Sequence, residues 1–223
     1  MKNYNAVLFD LDGTLLDTTK GVLSSVQYVM EVLQLPKISD PTLKTFIGPP
    51  IQESLVRVFG MTSTEAQSAA NLFRDRYKNH DLLLAELYPN ILSLLQMLKE
   101  RNIQIAVATY KRQDYAIEIL KHFGISNYCS CIFGADNDNK LTKQDIINQC
   151  IDFVGLAKEE MVMIGDSSYD AIGAEKAGVD FIGVTYGFGF KSRTDIDCHN
   201  HVGIADNATQ LKELLLADAT IYN

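Results

Sequence analysis

Ala6-Val7-Leu8-Phe9-Asp10-Leu11-Asp12-Gly13-Thr14 decides how the rest of the chain is read. Four apolar residues in a row, with no polar alternation, suit a short strand covered on both faces in a parallel sheet. Two aspartates follow where that strand would end, and Gly13 then allows a sharp turn. Open α/β sheets collect their ligands outside the carboxyl ends of the strands. In such a sheet, Asp10 and Asp12 stand where chemistry is done.

The chain supplies the sheet. Four more apolar runs, Ile103 to Ala108, Cys131 to Phe133, Met161 to Ile164 and Phe181 to Val184, read as buried strands. Between them lie helix-period segments at Ile91 to Lys99, Tyr115 to Phe123, Lys143 to Phe153 and Tyr169 to Ala177. This alternation predicts an α/β fold, a Rossmann-like doubly wound parallel sheet. It is interrupted once. From Asp17 to Tyr88 the pattern is helical without a strand candidate, with segments at Gly21 to Leu33, Pro41 to Phe46, Ile51 to Phe59 and Ser63 to Tyr77. The expected domains are a core of residues 1–17 and 88–223 and an inserted α-helical domain of residues 18–87.

Composition narrows the class of function. In 223 residues, 47% are hydrophobic and 22% charged, which excludes disorder and leaves ample core. With 28 acidic against 20 basic side chains the net charge is −8, which argues against a nucleic-acid partner. Four cysteines do not make a disulfide framework in so long a chain, and reduced thiols in a cytoplasmic protein are expected. Asp10 cuts the first apolar run short of a signal core, and no later run reaches membrane-spanning length, so no membrane is expected either.

If the sheet is wound this way, Asp10, Asp12 and Asp166 converge on one edge, with Asp170 one helical turn behind Asp166. Carboxylates gathered so closely repel unless a cation joins them, and a hard divalent ion, magnesium, suits oxygen ligands shared with a phosphate. Read one at a time, these aspartates are also ordinary helix caps and turn residues. Thr109 and Lys143 add a hydroxyl and an ammonium suited to a phosphoryl group, and Lys140 competes in sequence for the role of Lys143.

In this order the residues resemble the four motifs of the haloacid dehalogenase superfamily of aspartate-nucleophile phosphohydrolases. Phe9-Asp10-Leu11-Asp12-Gly13-Thr14-Leu15 is similar to the first motif, Thr109 to the second, Lys143 to the third, and Gly165-Asp166 through Asp170 to the fourth. The helical insert after the first motif resembles the cap of the phosphoglycolate-phosphatase-like subfamily. The resemblance implies that Asp10 attacks phosphorus and that Asp12 acts as acid and then base. It also implies phosphate binding by Gly13 with its amide free, Thr109, Tyr110 and Lys143. Its metal shell would be the carboxylates of Asp10 and Asp166 and the carbonyl of Asp12, oriented by Asp170. The substrate implied is a small phosphorylated metabolite, such as phosphoglycolate, a nucleotide or a sugar phosphate, handled by a monomer or homodimer.

Tyr110 departs from the small residue that often follows the motif threonine, and its bulk is expected to narrow the pocket or stack on a substrate. Asp12 disfavours dehalogenases and phosphonate hydrolases, which lack it. A phosphosugar mutase and an inactive sugar-phosphate-binding regulator stay open as alternatives, whereas a receiver domain has its Thr and Lys in a different chain order. Cys198, His199 and His201 read as a solvated loop. Gly187-Phe188-Gly189-Phe190 reads as a loop rimming the site. Substrate selection is expected from the helical insert, with Gly48-Pro49-Pro50, Arg57, Arg74, Arg76, Tyr77 and His80 as candidates.

Overall fold

A computed structural model describes residues 2–136 and 140–216. It divides into two compact units, Met1–Leu16 with Leu87–Asn223, and Asp17–Glu86. The chain passes between them through two short strands, β2 (Leu16–Asp17) and β3 (Glu86–Leu87), which pair with each other.

The first unit is built on β1 (Ala6–Phe9), β4 (Gln104–Arg112), β5 (Cys131–Ala135), β6 (Met161–Gly165), β7 (Asp180–Val184) and β8 (Gly203–Ala205). The six strands run parallel in the order β5-β4-β1-β6-β7-β8. β1 is central, and its four residues are fully buried, as the unbroken apolar run requires. Ala6 and Leu8 join Ala106, Ala108, Met161 and Met163 on one face. There they pack with Ile146, Ile147 and Cys150 of α7 (Lys143–Val154) and Ala171 and Ala174 of α8 (Ser168–Ala177). By the period of two, Val7, Phe9, Val107 and Ile164 face the other way. The remaining helices of this unit are α5 (Ile91–Glu100), α6 (Gln113–His122), α9 (Arg193–Asp197) and α10 (Ala208–Leu216).

Two features of the sheet differ from the sequence expectation. A sixth strand, β8, joins the β7 edge through Gly203-Ile204-Ala205, a run too short and too glycine-broken to announce itself. β4 continues past Ala108 to Arg112, so Thr109, Tyr110 and Lys111 lie inside the strand. Thr109 pairs with Gly134 and Arg112 with Ala135, leaving Tyr110 and Lys111 bulged out of register.

The second unit holds α1 (Thr19–Val32), α2 (Asp40–Lys44), α3 (Ile51–Phe59) and α4 (Ser63–Arg76). Val22, Val26 and Val29 of α1 and Ala66, Ala69, Ala70 and Phe73 of α4 are buried on period-matched faces. Thr62 and Glu65 close a capping box at the start of α4. A wide π turn, Tyr77–Asp81, follows α4 and brings Asp81 into the interior, where it accepts from Ser25 Oγ and Arg76 Nε at 2.9 Å each. No helix among the described residues is long and apolar enough to cross a membrane.

Candidate active site

The ends of β1, β4 and β6 and the starts of α7 and α8 bring the site together. Asp10 follows β1 directly and is 7% exposed; Asp166 follows β6, and Asp170 lies in the first turn of α8. Oxygens of Asp10, Asp166 and Asp170 all lie within 4.8 Å of one another, the one such ligand-bearing group among the described residues. Lys143, the first residue of α7, reaches into this trio. Its Nζ stands 2.7 Å from Asp10 Oδ1 and 2.6 Å from Asp170 Oδ1. Lys140 is exposed, and of the two lysines that sequence spacing left open Lys143 is the one that reaches these aspartates.

Local sequence explains how these side chains are held. Thr142 caps α7 in a box with Asp145, which sets Lys143 at the helix start. Asp170 serves twice. Its Oδ2 accepts from Ser167 N at 3.1 Å and Ser167 Oγ at 2.6 Å, closing the capping box of α8, while Oδ1 faces Lys143. One carboxylate therefore both caps α8 and pairs with Lys143. Asp166 Oδ2 accepts backbone N–H from Phe188 at 2.5 Å and Gly189 at 2.9 Å. The Gly187-Phe188-Gly189 loop thus holds Asp166 with amides, which carry no side-chain signature in the sequence.

The cluster has more negative than positive charge, and its proton affinities show it. Burial pushes Asp10 up from 3.8 to about 8; Lys143 opposes this, and the charges of Asp170 and Asp166 add to it. Asp166 rises to about 7, through burial and then the charge of Asp170, against the N–H groups of Gly189 and Phe188. Burial alone would lower Lys143, yet Asp10 and Asp170 together hold it above its ordinary value. One buried ammonium leaves three buried carboxylates short of positive charge. An all-oxygen donor set with that deficit fits a hard divalent cation.

Asp12 stands apart from the trio. Both its carboxylate oxygens lie 3.0 Å from Nζ of Lys111, a residue to which the sequence reading gave no role. Thr109 Oγ1 accepts the Lys111 N–H at 3.1 Å, so its hydroxyl hydrogen is not used in that bond.

One expectation changes. Gly13 does not present a free amide: its N–H donates to Leu16 O at 2.9 Å, because the chain folds straight back into a turn. What Gly13 provides is room. It has φ of 84°, and a Cβ there would overlap Asp166 Oδ2. A Cβ at Gly187 would meet the same carboxylate. Tyr110 is turned to the core cluster, where it stacks edge-on with Tyr169 at 5.4 Å. Its hydroxyl accepts the Lys143 N–H at 2.9 Å, so it braces the start of α7.

Among the candidates in the helical unit, Arg76 is paired with buried Asp81, Arg57 donates to Thr45 O at 2.8 Å, and Tyr77 is buried against Phe73. Cys129, Cys131, Cys150 and Cys198 are free thiols. His201 Nε2 lies 3.6 Å from Asp197, and among the described residues these two belong to no group of three or more metal-ligating side chains.

A parallel sheet whose strand ends carry a lysine-bridged acidic cluster defines an α/β protein equipped for charged oxygen chemistry. The family model described as haloacid dehalogenase-like hydrolase matches residues 7–184, and the chain belongs to this family. It is 34% identical over 213 residues to a 5'-nucleotidase of Pseudomonas aeruginosa, covering 95% of this chain and 96% of that protein. It is 32% identical to the tyrosine-protein kinase PtkA of Mycobacterium tuberculosis over 94% of this chain and 72% of that protein. A phosphoglycolate phosphatase of Vibrio cholerae is 28% identical over 84% of this chain and 87% of its own length. Among solved structures, a predicted phosphatase from Clostridium acetobutylicum superimposes with a TM-score of 0.90 at 33% identity, covering 97% of this chain and all of that one.

Proposed function

We propose that this chain is a magnesium-dependent phosphatase that cleaves a small phosphate monoester through an aspartyl-phosphate on Asp10. The observation that carries the reading is the separation of the two β1-end aspartates. Asp10 sits in the acidic cluster against Lys143, whereas the Asp12 carboxylate sits outside it on Lys111. A nucleophile and a proton carrier need such different surroundings.

In this reading Asp10 attacks phosphorus, the bond from phosphorus to the ester oxygen breaks, and a proton on Asp12 passes to the departing oxygen. Water then attacks the aspartyl-phosphate, gives its proton to Asp12 and restores the Asp10 carboxylate. The proton taken in one turnover serves the next. Lys143 and the Thr109 hydroxyl hold the phosphoryl oxygens. Asp10 and Asp166 would hold magnesium, with the Asp12 carbonyl beside them and Asp170 orienting Lys143. The metal supplies positive charge that offsets the phosphoryl group against the carboxylates. Gly13 is left out of the phosphate contacts because its amide is occupied.

The phosphatase names among the relatives support the reaction class, and the 5'-nucleotidase and phosphoglycolate phosphatase relatives set which substrates come first. We assign substrate selection to the helical unit Asp17–Glu86, acting as a cap. The test is phosphate release from a panel of nucleoside monophosphates, phosphoglycolate and sugar phosphates, with and without magnesium. Metal-dependent release from at least one is expected. Conversion of a hexose 1-phosphate to its 6-phosphate without comparable free phosphate would make the chain a mutase. Tight binding without turnover of any of them would make it a regulator.

A further inference from the structure

Lys111 is the buried cation that the proposed chemistry has not used. Its side chain is 5% exposed and its Nζ contacts both oxygens of Asp12, whose side chain is 16% exposed. Exposed ion pairs hold their partners loosely. This one is largely out of water, and an ammonium shared evenly between two oxygens restrains rotation of the carboxylate about its last bond.

The backbone is shaped to make the contact. The bulge between Thr109 and Arg112 takes Tyr110 and Lys111 out of register with β5, and bulges re-aim side chains. Thr109 Oγ1 pins the bulge by accepting the Lys111 N–H. Tyr110, the other bulged residue, braces α7 through the Lys143 N–H. One irregularity in one strand therefore serves both lysines, Lys111 for Asp12 and Lys143 for Asp10.

We propose that Lys111 is a positioning residue that clasps Asp12 in the orientation from which it passes protons to the leaving group and from the attacking water. The proposal rests on the phosphatase reading above and adds a residue to it. It has a consequence that depends on the substrate. An alkoxide needs a proton as it departs, whereas p-nitrophenolate leaves without one. Loss of the clasp should slow both steps for an alkyl phosphate, but for p-nitrophenyl phosphate only the second step, where water must be deprotonated.

The experiment compares wild type, Lys111→Met, Lys111→Arg and Asp10→Asn on p-nitrophenyl phosphate and on the best alkyl phosphate from the panel. Acid-quenched samples are assayed for protein-bound phosphoryl group. For Lys111→Met we expect kcat on the alkyl substrate to fall about 100-fold, the scale of a misplaced reacting group. KM should stay within about threefold, because the loss is confined to steps after binding. With p-nitrophenyl phosphate, a larger fraction of Lys111→Met than of wild type should be trapped as phosphoenzyme. Lys111→Arg should lose less and keep the same dependence on leaving group, and it carries the test if the methionine variant does not fold. Equal losses on both substrates with no added phosphoenzyme would make the ion pair structural and overturn the proposal, as would wild-type rates in Lys111→Met. Sustained turnover by Asp10→Asn would instead overturn the phosphatase mechanism itself.

Discussion

Asp81 in the helical unit and Asp10 in the sheet unit are both buried carboxylates, 2% and 7% exposed, yet their surroundings differ in kind. Asp81 is a single charge answered by one guanidinium and one hydroxyl, Arg76 and Ser25. Asp10 shares one ammonium, Lys143, with Asp170 and lies within a few ångströms of Asp166. The first arrangement is closed: it joins α1 to the turn after α4 and leaves little charge to attract a ligand. The second is short of positive charge. A buried carboxylate alone marks nothing, and the uncompensated balance around it separates a site from a brace.

The largest effect that should follow is on turnover. Asp10→Asn keeps the shape and removes the nucleophile, and a loss of at least about 1000-fold in kcat is expected, in line with other nucleophile replacements. Steady-state phosphate release checks it. Activity within tenfold of wild type would place Asp10 with Asp81 among the structural carboxylates.

Lys143→Met probes the charge balance directly. Removing one partner of a buried pair costs about 3–5 kcal/mol, and here it would leave three carboxylates facing each other. We expect denaturant unfolding of the metal-free variant to show a loss of that order, together with a strong fall in activity. Asp81→Ala should do less, about 2 kcal/mol for hydrogen bonds to a charged group, and should leave the rate of the chemical step on p-nitrophenyl phosphate unchanged. A larger stability loss at Asp81 than at Lys143 would reverse the contrast.

The same charge balance should give stability a slope with pH. Asp10 and Asp166 are raised from 3.8 to about 8 and about 7 in the folded protein, so between those limits the folded state binds more protons than the unfolded one. Stability of the metal-free protein should therefore fall as pH rises from about 4 to about 8. Magnesium, which prefers the ionised carboxylates, should offset the fall at the upper end. Thermal melts across this range with and without magnesium test both signs. A metal-free Tm that rises steadily to pH 8 would contradict the uncompensated cluster.

How much of this could be read from the sequence depends on what kind of group carries each part. Asp10, Asp12 and Asp166 were visible because unbroken apolar runs put them just past strand ends, and Lys143 because it opens a helix-period segment. Lys111 was not, because Thr109-Tyr110-Lys111-Arg112 reads as a polar exit from a strand, and only pairing with β5 reveals a bulge inside it. The amides of Phe188 and Gly189 on Asp166 have no side-chain signature, and the sequence marked Gly187-Phe188-Gly189-Phe190 only as a loop rimming the site. The Gly13 expectation failed for a local reason: its turn closes on Leu16 and uses the N–H that a phosphate would need. β8 has only three residues, and pairing with β7 defines it more than its own pattern does.

In the proposed mechanism Asp10 carries the phosphoryl group and Asp12 carries protons. The most direct measurement uses Asp12→Asn, in which release of the intermediate should be slow, mixed with p-nitrophenyl phosphate and magnesium, quenched in acid and mapped by peptide mass spectrometry. We expect p-nitrophenol release close to one equivalent in the first turnover and a phosphoryl group on Asp10. A phosphoryl group on any other residue, or a full equivalent of p-nitrophenol with none on the protein, would contradict it.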